Sequence, residues 1–193
     1  MKISHTAILL LALPASLAAQ QPPAEPPADP ITAVFRTRTM TLQRNLSQAF
    51  DSIPSNLFGY KPTPAQQTIG YVAQHLVTDN YLFCNQFGEM KATRAAEDTA
   101  TADSLKAKWP KEKLVEQLKA SFKFCEDAFA QLKDANLADQ VTMTFPNGQS
   151  RTVTRAAMVL GHVIDMADHY SQIANYMRLN KLLPPTALPR PPR

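Results

Sequence analysis

LVEQLKASFKFCEDAFAQL, residues 114–132, is the stretch that decides the fold class. Within it Leu114, Leu118, Phe122, Cys125, Phe129 and Leu132 recur at three- and four-residue steps, the period of a helix with one buried stripe. Pro110 lies just upstream, suited to a first helical turn, where its missing N–H costs nothing. The same period appears in the segments on either side. From Ile31 to Ile53 it is carried by Ile31, Val34, Phe35, Leu42, Leu46 and Phe50, and Pro54 ends the run. From Thr68 to Phe87 apolar residues occupy nearly every side (Ile69, Tyr71, Val72, Leu76, Leu82 and Phe83 among them), which predicts a helix buried against more than one neighbour. A last helix is predicted from Thr154 to Asn180, about seven turns, stopped by Pro184 and Pro185.

The connections read differently. Residues 55–64 form a connector containing Pro62 and Pro64, and residues 88–108 form a polar, alanine-rich connection with a short helix after Asp103. Between Gln140 and Val153, Val141, Met143 and Phe145 alternate with polar residues before Pro146-Asn147-Gly148, the signature of a hairpin. A lone hairpin has no core of its own and must lean on the helices. Long helices, one small hairpin and no alternation of strand and helix predict an all-α, four-helix bundle with the hairpin placed before the last helix.

Composition bounds the rest. A chain of 193 residues, 45% apolar and 19% charged, supports one domain with a real core and excludes wholesale disorder. No apolar run reaches the roughly 18 residues of a membrane-spanning helix. The two cysteines cannot staple a small disulfide scaffold or supply a four-thiolate metal site. Ten of the 16 prolines fall in residues 22–30 and 184–193, so a proline-poor unit lies between extended ends. The predicted organisation is a signal peptide over 1–19, a proline-rich linker over 20–30, the bundle over 31–183 and a proline-rich tail over 184–193.

The leader has Lys2, an apolar stretch from Ala7 to Leu13, and small residues at Ala15, Ser16, Ala18 and Ala19. That layout predicts cleavage after Ala18 or Ala19 and a periplasmic or secreted protein. No cysteine follows the apolar stretch to carry a lipid, so no stable membrane anchor is expected. In an oxidising compartment Cys84 and Cys125 are expected to pair, closing a loop worth about 3–4 kcal/mol. The alternative is two buried free thiols. Loss of Lys2 with the leader lowers the formal charge of +4 by one. The lysine-rich stretch from Lys106 to Lys123 is interrupted by Glu112 and Glu116, a solvated helix face and not a nucleic-acid surface.

Three histidines remain, His75, His162 and His169, all inside predicted helices. His162, Asp165 and His169 share a strip about 60° wide. Rise along the axis separates Asp165 from His169 by about 6 Å and His162 from Asp165 by about 4.5 Å, but His162 from His169 by about 10.5 Å. A small cation is therefore shared by either inner pair and not by the outer two. His75, on the most apolar helix, is the natural third ligand in a bundle core. Two imidazoles and one carboxylate suit a divalent ion such as zinc, nickel, iron or manganese. Asp79, one turn after His75, is placed to orient a ligand from behind. The competing reading makes these histidines hydrogen-bonded core residues, with Asp165 pairing a histidine, Arg155 or Arg178. No serine sits in a recognisable nucleophile elbow, so no catalytic residue is assigned.

The stretches Tyr60-Lys-Pro-Thr-Pro64, Gly70-Tyr-Val-Ala-Gln-His75, Asp79-Asn-Tyr-Leu-Phe-Cys84 and His169-Tyr-Ser-Gln-Ile-Ala-Asn-Tyr-Met-Arg-Leu179, with Pro184-Pro185, resemble the DinB-like superfamily of four-helix bundle proteins. The Cys84 and Cys125 pair also resembles that of exported members. The resemblance implies a metal site of three histidines at positions 75, 165 and 169. This chain has Asp at position 165, with His162 one turn upstream as an alternate ligand. The family includes metal-dependent thiol transferases, so the expectation is a divalent-metal protein, a transferase or hydrolase acting on a small-molecule ligand. The alternative is a non-catalytic binding bundle without metal.

Overall fold

The computed structural model describes residues 27–144 and 147–189. The leader, most of the linker, Phe145-Pro146 in the hairpin and the last four tail residues lie outside that range. Four long helices build the bundle: α1 (Pro30–Ser52), α2 (Ile69–Phe87), α5 (Lys111–Ala130) and α6 (Arg155–Leu179). Two short helices, α3 (Ala96–Ala100) and α4 (Asp103–Lys106), interrupt the long connection, and strands β1 (Gln140–Thr144) and β2 (Ser150–Thr154) precede α6.

Each long helix begins for a readable reason. Thr68 caps α2 by accepting the Tyr71 N–H at 3.1 Å, and Thr154 caps α6 by accepting that of Ala157 at 3.2 Å. The first amides of α1 are met from a distance: the Asp134 carboxylate accepts from Ile31 at 2.9 Å and Thr32 at 2.8 Å. Pro110 stands at the cap of α5, one position before the first turn expected for it.

The core has two parts along the bundle. One gathers Phe50, Ile69, Leu76, Leu118, Met166 and Tyr176 from all four long helices. The other lies beneath the hairpin and includes Phe87, Phe129, Val141, Met143, Met158 and Val159. Burial of about 2 kcal/mol per large apolar side chain, not helix propensity, holds such a bundle together. The β1 and β2 strands pair antiparallel from Gln140–Thr154 to Thr144–Ser150. Val141 and Met143 point inward while their neighbours face solvent, so the hairpin does lean on the helices. Arg155, almost fully buried, ties its base to the helices by donating to the carbonyls of Phe87 and Asn136.

Two local features depart from expectation. The connection over 88–108 holds one more helix than its composition implies, fastened by a buried Lys106 that pairs with Asp103 at 2.9 Å and donates to the Asp98 carbonyl at 3.2 Å. The start of the C-terminal segment is docked: Pro184 is buried and the Tyr170 hydroxyl bonds Thr186 Oγ1 at 2.8 Å. Cys84 on α2 and Cys125 on α5 stand with Cα atoms 5.3 Å apart and sulfurs at disulfide distance, a separation that suits a bridge.

Candidate metal centre

α2 and α6 meet so that His75, Asp79, Asp165 and His169 each offer a ligand atom, all four within 4.8 Å of one another. The i, i+4 spacing puts each histidine one helical turn from a carboxylate on its own helix. His75 Nε2 lies 3.1 Å from Asp79 Oδ2, and His169 Nε2 lies 3.4 Å from Asp165 Oδ1. The two imidazoles meet across the helix interface nearly at right angles, with centroids 5.0 Å apart. All four side chains are partly buried, from 15% exposed at Asp79 and His169 to 31% at His75. The site is thus sheltered but reachable.

Neighbours orient these groups. The ring of Tyr71, one turn before His75, stacks on that imidazole at 5.8 Å and 26°. His169 Nδ1 faces Gln172 Oε1 at 3.3 Å, and Gln172 Nε2 donates to the Tyr176 hydroxyl at 2.9 Å. With Nδ1 donating to Gln172, Nε2 is left on the Asp165 side, the arrangement in which an imidazole can bind a cation.

The electrostatics are those of a cluster short of positive charge. Burial, reinforced by the negative charge of Asp165, pushes the Asp79 carboxyl up to about 7. Burial also lowers the His75 pKa, and the charge of His169 lowers it further. For His169 burial opposes the charged form, but the hydrogen bond to Asp165 and that carboxylate's charge outweigh it and raise the pKa. Asp165 Oδ2 is buried and has no hydrogen-bond partner. A carboxylate oxygen without a donor, beside two imidazoles and a second carboxylate, fits a divalent cation.

His162 does not join this group. It is fully buried, and Nε2 lies 2.9 Å from Asn80 Oδ1. Ser121 Oγ donates to the Leu118 carbonyl and accepts from Asn80 Nδ2, which leaves Asn80 Oδ1 as an acceptor and makes His162 the Nε2–H tautomer. The lone pair is then on Nδ1, which is buried without a partner, and no carboxylate is grouped with this ring. The rings of Phe83, Phe87 and Phe129 surround it, and burial lowers its pKa to about 4. The residue expected as an alternate ligand thus lies in the core, apart from the cluster of His75, Asp79, Asp165 and His169.

His75, Asp165 and His169 are brought together, and Asp79 stands among the candidate ligands where a place behind them was expected. Asn80 went unnoticed as a partner of His162. Nothing in the sequence singles it out, since α2 also carries Gln74, Asn85 and Gln86.

The chain matches the DinB superfamily over residues 38–173 and belongs to that family. Among solved structures it is similar to a DinB-like protein from Bacillus cereus ATCC 10987, with 15% identity over 78% of this chain and 93% of that one, at a TM-score of 0.61. A DinB-like protein from Bacillus subtilis is similar at 15% identity over 83% of this chain and 96% of that one, with a TM-score of 0.57. A mycothiol-dependent maleylpyruvate isomerase shares the fold at 13% identity and a TM-score of 0.57, over 74% of this chain and 60% of that one. No curated protein matches the sequence significantly. Among the described residues, no helix is long and apolar enough to cross a membrane.

Proposed function

We propose that this protein is an exported DinB-like metalloprotein holding a divalent ion with His75, Asp165 and His169, and with Asp79 in reach as a further ligand. The observation that carries this reading is the convergence of four ligand atoms from two helices around an unpartnered Asp165 oxygen. Two imidazoles with carboxylate oxygens suit zinc, iron or manganese, and nickel is also compatible. Such an ion supplies Lewis acidity, or lowers the pKa of a group bound to it. The chain's own part is to orient the ligands through Gln172 and Tyr71 and to shelter them. The reaction class is a transfer or hydrolysis on a small molecule. The mycothiol-dependent neighbour supports a thiol-handling step, while an oxidising compartment favours hydrolysis. The signal-like leader and the paired cysteines support a periplasmic or secreted location.

Elemental analysis of protein purified without a histidine tag tests the reading. One equivalent of metal is expected, with loss on replacing either His75 or His169 by Ala. A wild-type chain that stays metal-free after incubation with zinc, iron, manganese or nickel contradicts it and leaves the non-catalytic bundle.

A further inference from the structure

Beside the candidate metal centre, on the other side of Tyr71, lies a cleft of 820 Å³. Its walls come from the connector after α1, the first turn of α2 and the junction between α4 and α5. The floor is held backbone to backbone. Gly70 N donates to the Phe58 carbonyl at 2.8 Å, and Ile69 N donates to that of Tyr60 at 3.1 Å. A Cβ at Gly70 would stand 2.4 Å from the Ala107 carbonyl oxygen, so only glycine lets α2 approach the α4–α5 junction this closely. The walls are preformed.

Three aromatic rings line the cleft, Phe58, Tyr71 and Trp109, together with three lysines, Lys61, Lys108 and Lys111, and one acid, Glu112. The lysines keep their charge uncancelled. Lys61 donates to the Pro64 carbonyl at 2.9 Å, and Lys111 donates to the carbonyls of Asp51 and Ile53, both at 2.7 Å. Among the described residues, lysine–carboxylate pairs form at Lys106, Lys113, Lys119 and Lys123 and at none of these three. Phe58 is almost wholly buried and Lys113 Nζ stands over the Trp109 ring at 3.6 Å, so a flat apolar body would stack on the remaining surface of the partly exposed Tyr71 and Trp109, and the excess of cations selects a negative head.

We propose that this cleft binds small aromatic carboxylates and that Tyr71, which both lines the cleft and stacks on His75, couples its occupancy to the metal centre. The ligand class stands on the cleft's own residues. The coupling rests on the function proposed above. No bond is made or broken in binding, so the ligand's carboxylate stays ionised and meets the lysines as an anion.

Trp109 is the only tryptophan in the chain and lies in the cleft wall, so its fluorescence reports occupancy directly. Chelated full-length protein is titrated with benzoate, with benzamide, which keeps the ring and loses the charge, and with acetate, which keeps the charge and loses the ring. Benzoate is expected to give a saturable change, with both controls weaker by about tenfold. The surface double variant Lys61→Ala/Lys108→Ala, checked for unchanged helicity, is expected to weaken benzoate alone. No saturable response to benzoate, or equal responses to all three probes, overturns the ligand class. The titration is then repeated on protein carrying the metal. A changed benzoate affinity supports the coupling, and an unchanged one overturns it while leaving the cleft. Protein that takes up no ion but still selects benzoate leaves the cleft standing and refutes the metal reading.

Discussion

Helix α6 carries two imidazoles about two turns apart, and their surroundings are opposites. His162 is sealed among phenylalanine rings beside the Cys84 and Cys125 sulfurs, with a neutral amide as its partner. His169 is half-sheltered, facing one carboxylate on its own helix and a second imidazole on α2. The residue type and the helix are the same. What differs is the depth of burial and the partner in reach, a neutral amide for His162 and a carboxylate for His169, and together these make one histidine a structural donor and the other a candidate ligand.

The largest expected consequence is a difference in how the two regions respond to pH. The unfolded chain protonates His162 near 6.5, whereas the folded chain refuses that proton down to about 4. The unfolded state therefore binds more protons in this interval, and the contribution of His162 to stability rises with pH across it. It is complete above 6.5, is lost as the pH falls toward 4, and amounts to on the order of 3 kcal/mol. Asp79 runs the other way in metal-free protein. Its folded pKa is raised from 3.8 to about 7, so the folded state holds the extra proton and stability falls as pH rises through that range. Denaturant titrations at several pH values are expected to show a shallower rise for His162→Gln than for wild type and a steeper one for Asp79→Asn. Changes of the same sign in both variants break the contrast.

A smaller effect sharpens the wet side. Asp165→Asn keeps the shape of the side chain and removes its charge, so metal affinity measured by chelator competition is expected to fall at least about tenfold, the lower bound for losing even a partner behind a ligand. His162→Gln is expected to leave that affinity within about twofold of wild type. Equal losses in the two variants place His162 back in the centre.

Much of this was legible in the sequence because it is local. The three- and four-residue period of Leu114 to Phe129, the turn residues Asn147-Gly148 and the helix starts at Thr68 and Thr154 are set over a few residues. The pairing of Asp165 with His169 follows from the same short-range geometry. What stayed hidden depends on how one helix slides against another. Helical angles alone put His162 within 60° of Asp165, yet the register between α2 and α6 sets Asn80 opposite His162 and His75 opposite His169. The same register draws Asp79 into the cluster. Likewise, Pro184 marks the end of a helix in the sequence, but its docking against the bundle depends on a surface assembled from distant segments.

The most direct test is anomalous X-ray scattering from crystals of protein loaded with zinc, collected at the metal's absorption edge. A single strong peak bounded by His75, Asp79, Asp165 and His169 is the predicted result. A peak beside His162, or none within reach of His75 and His169, contradicts the account.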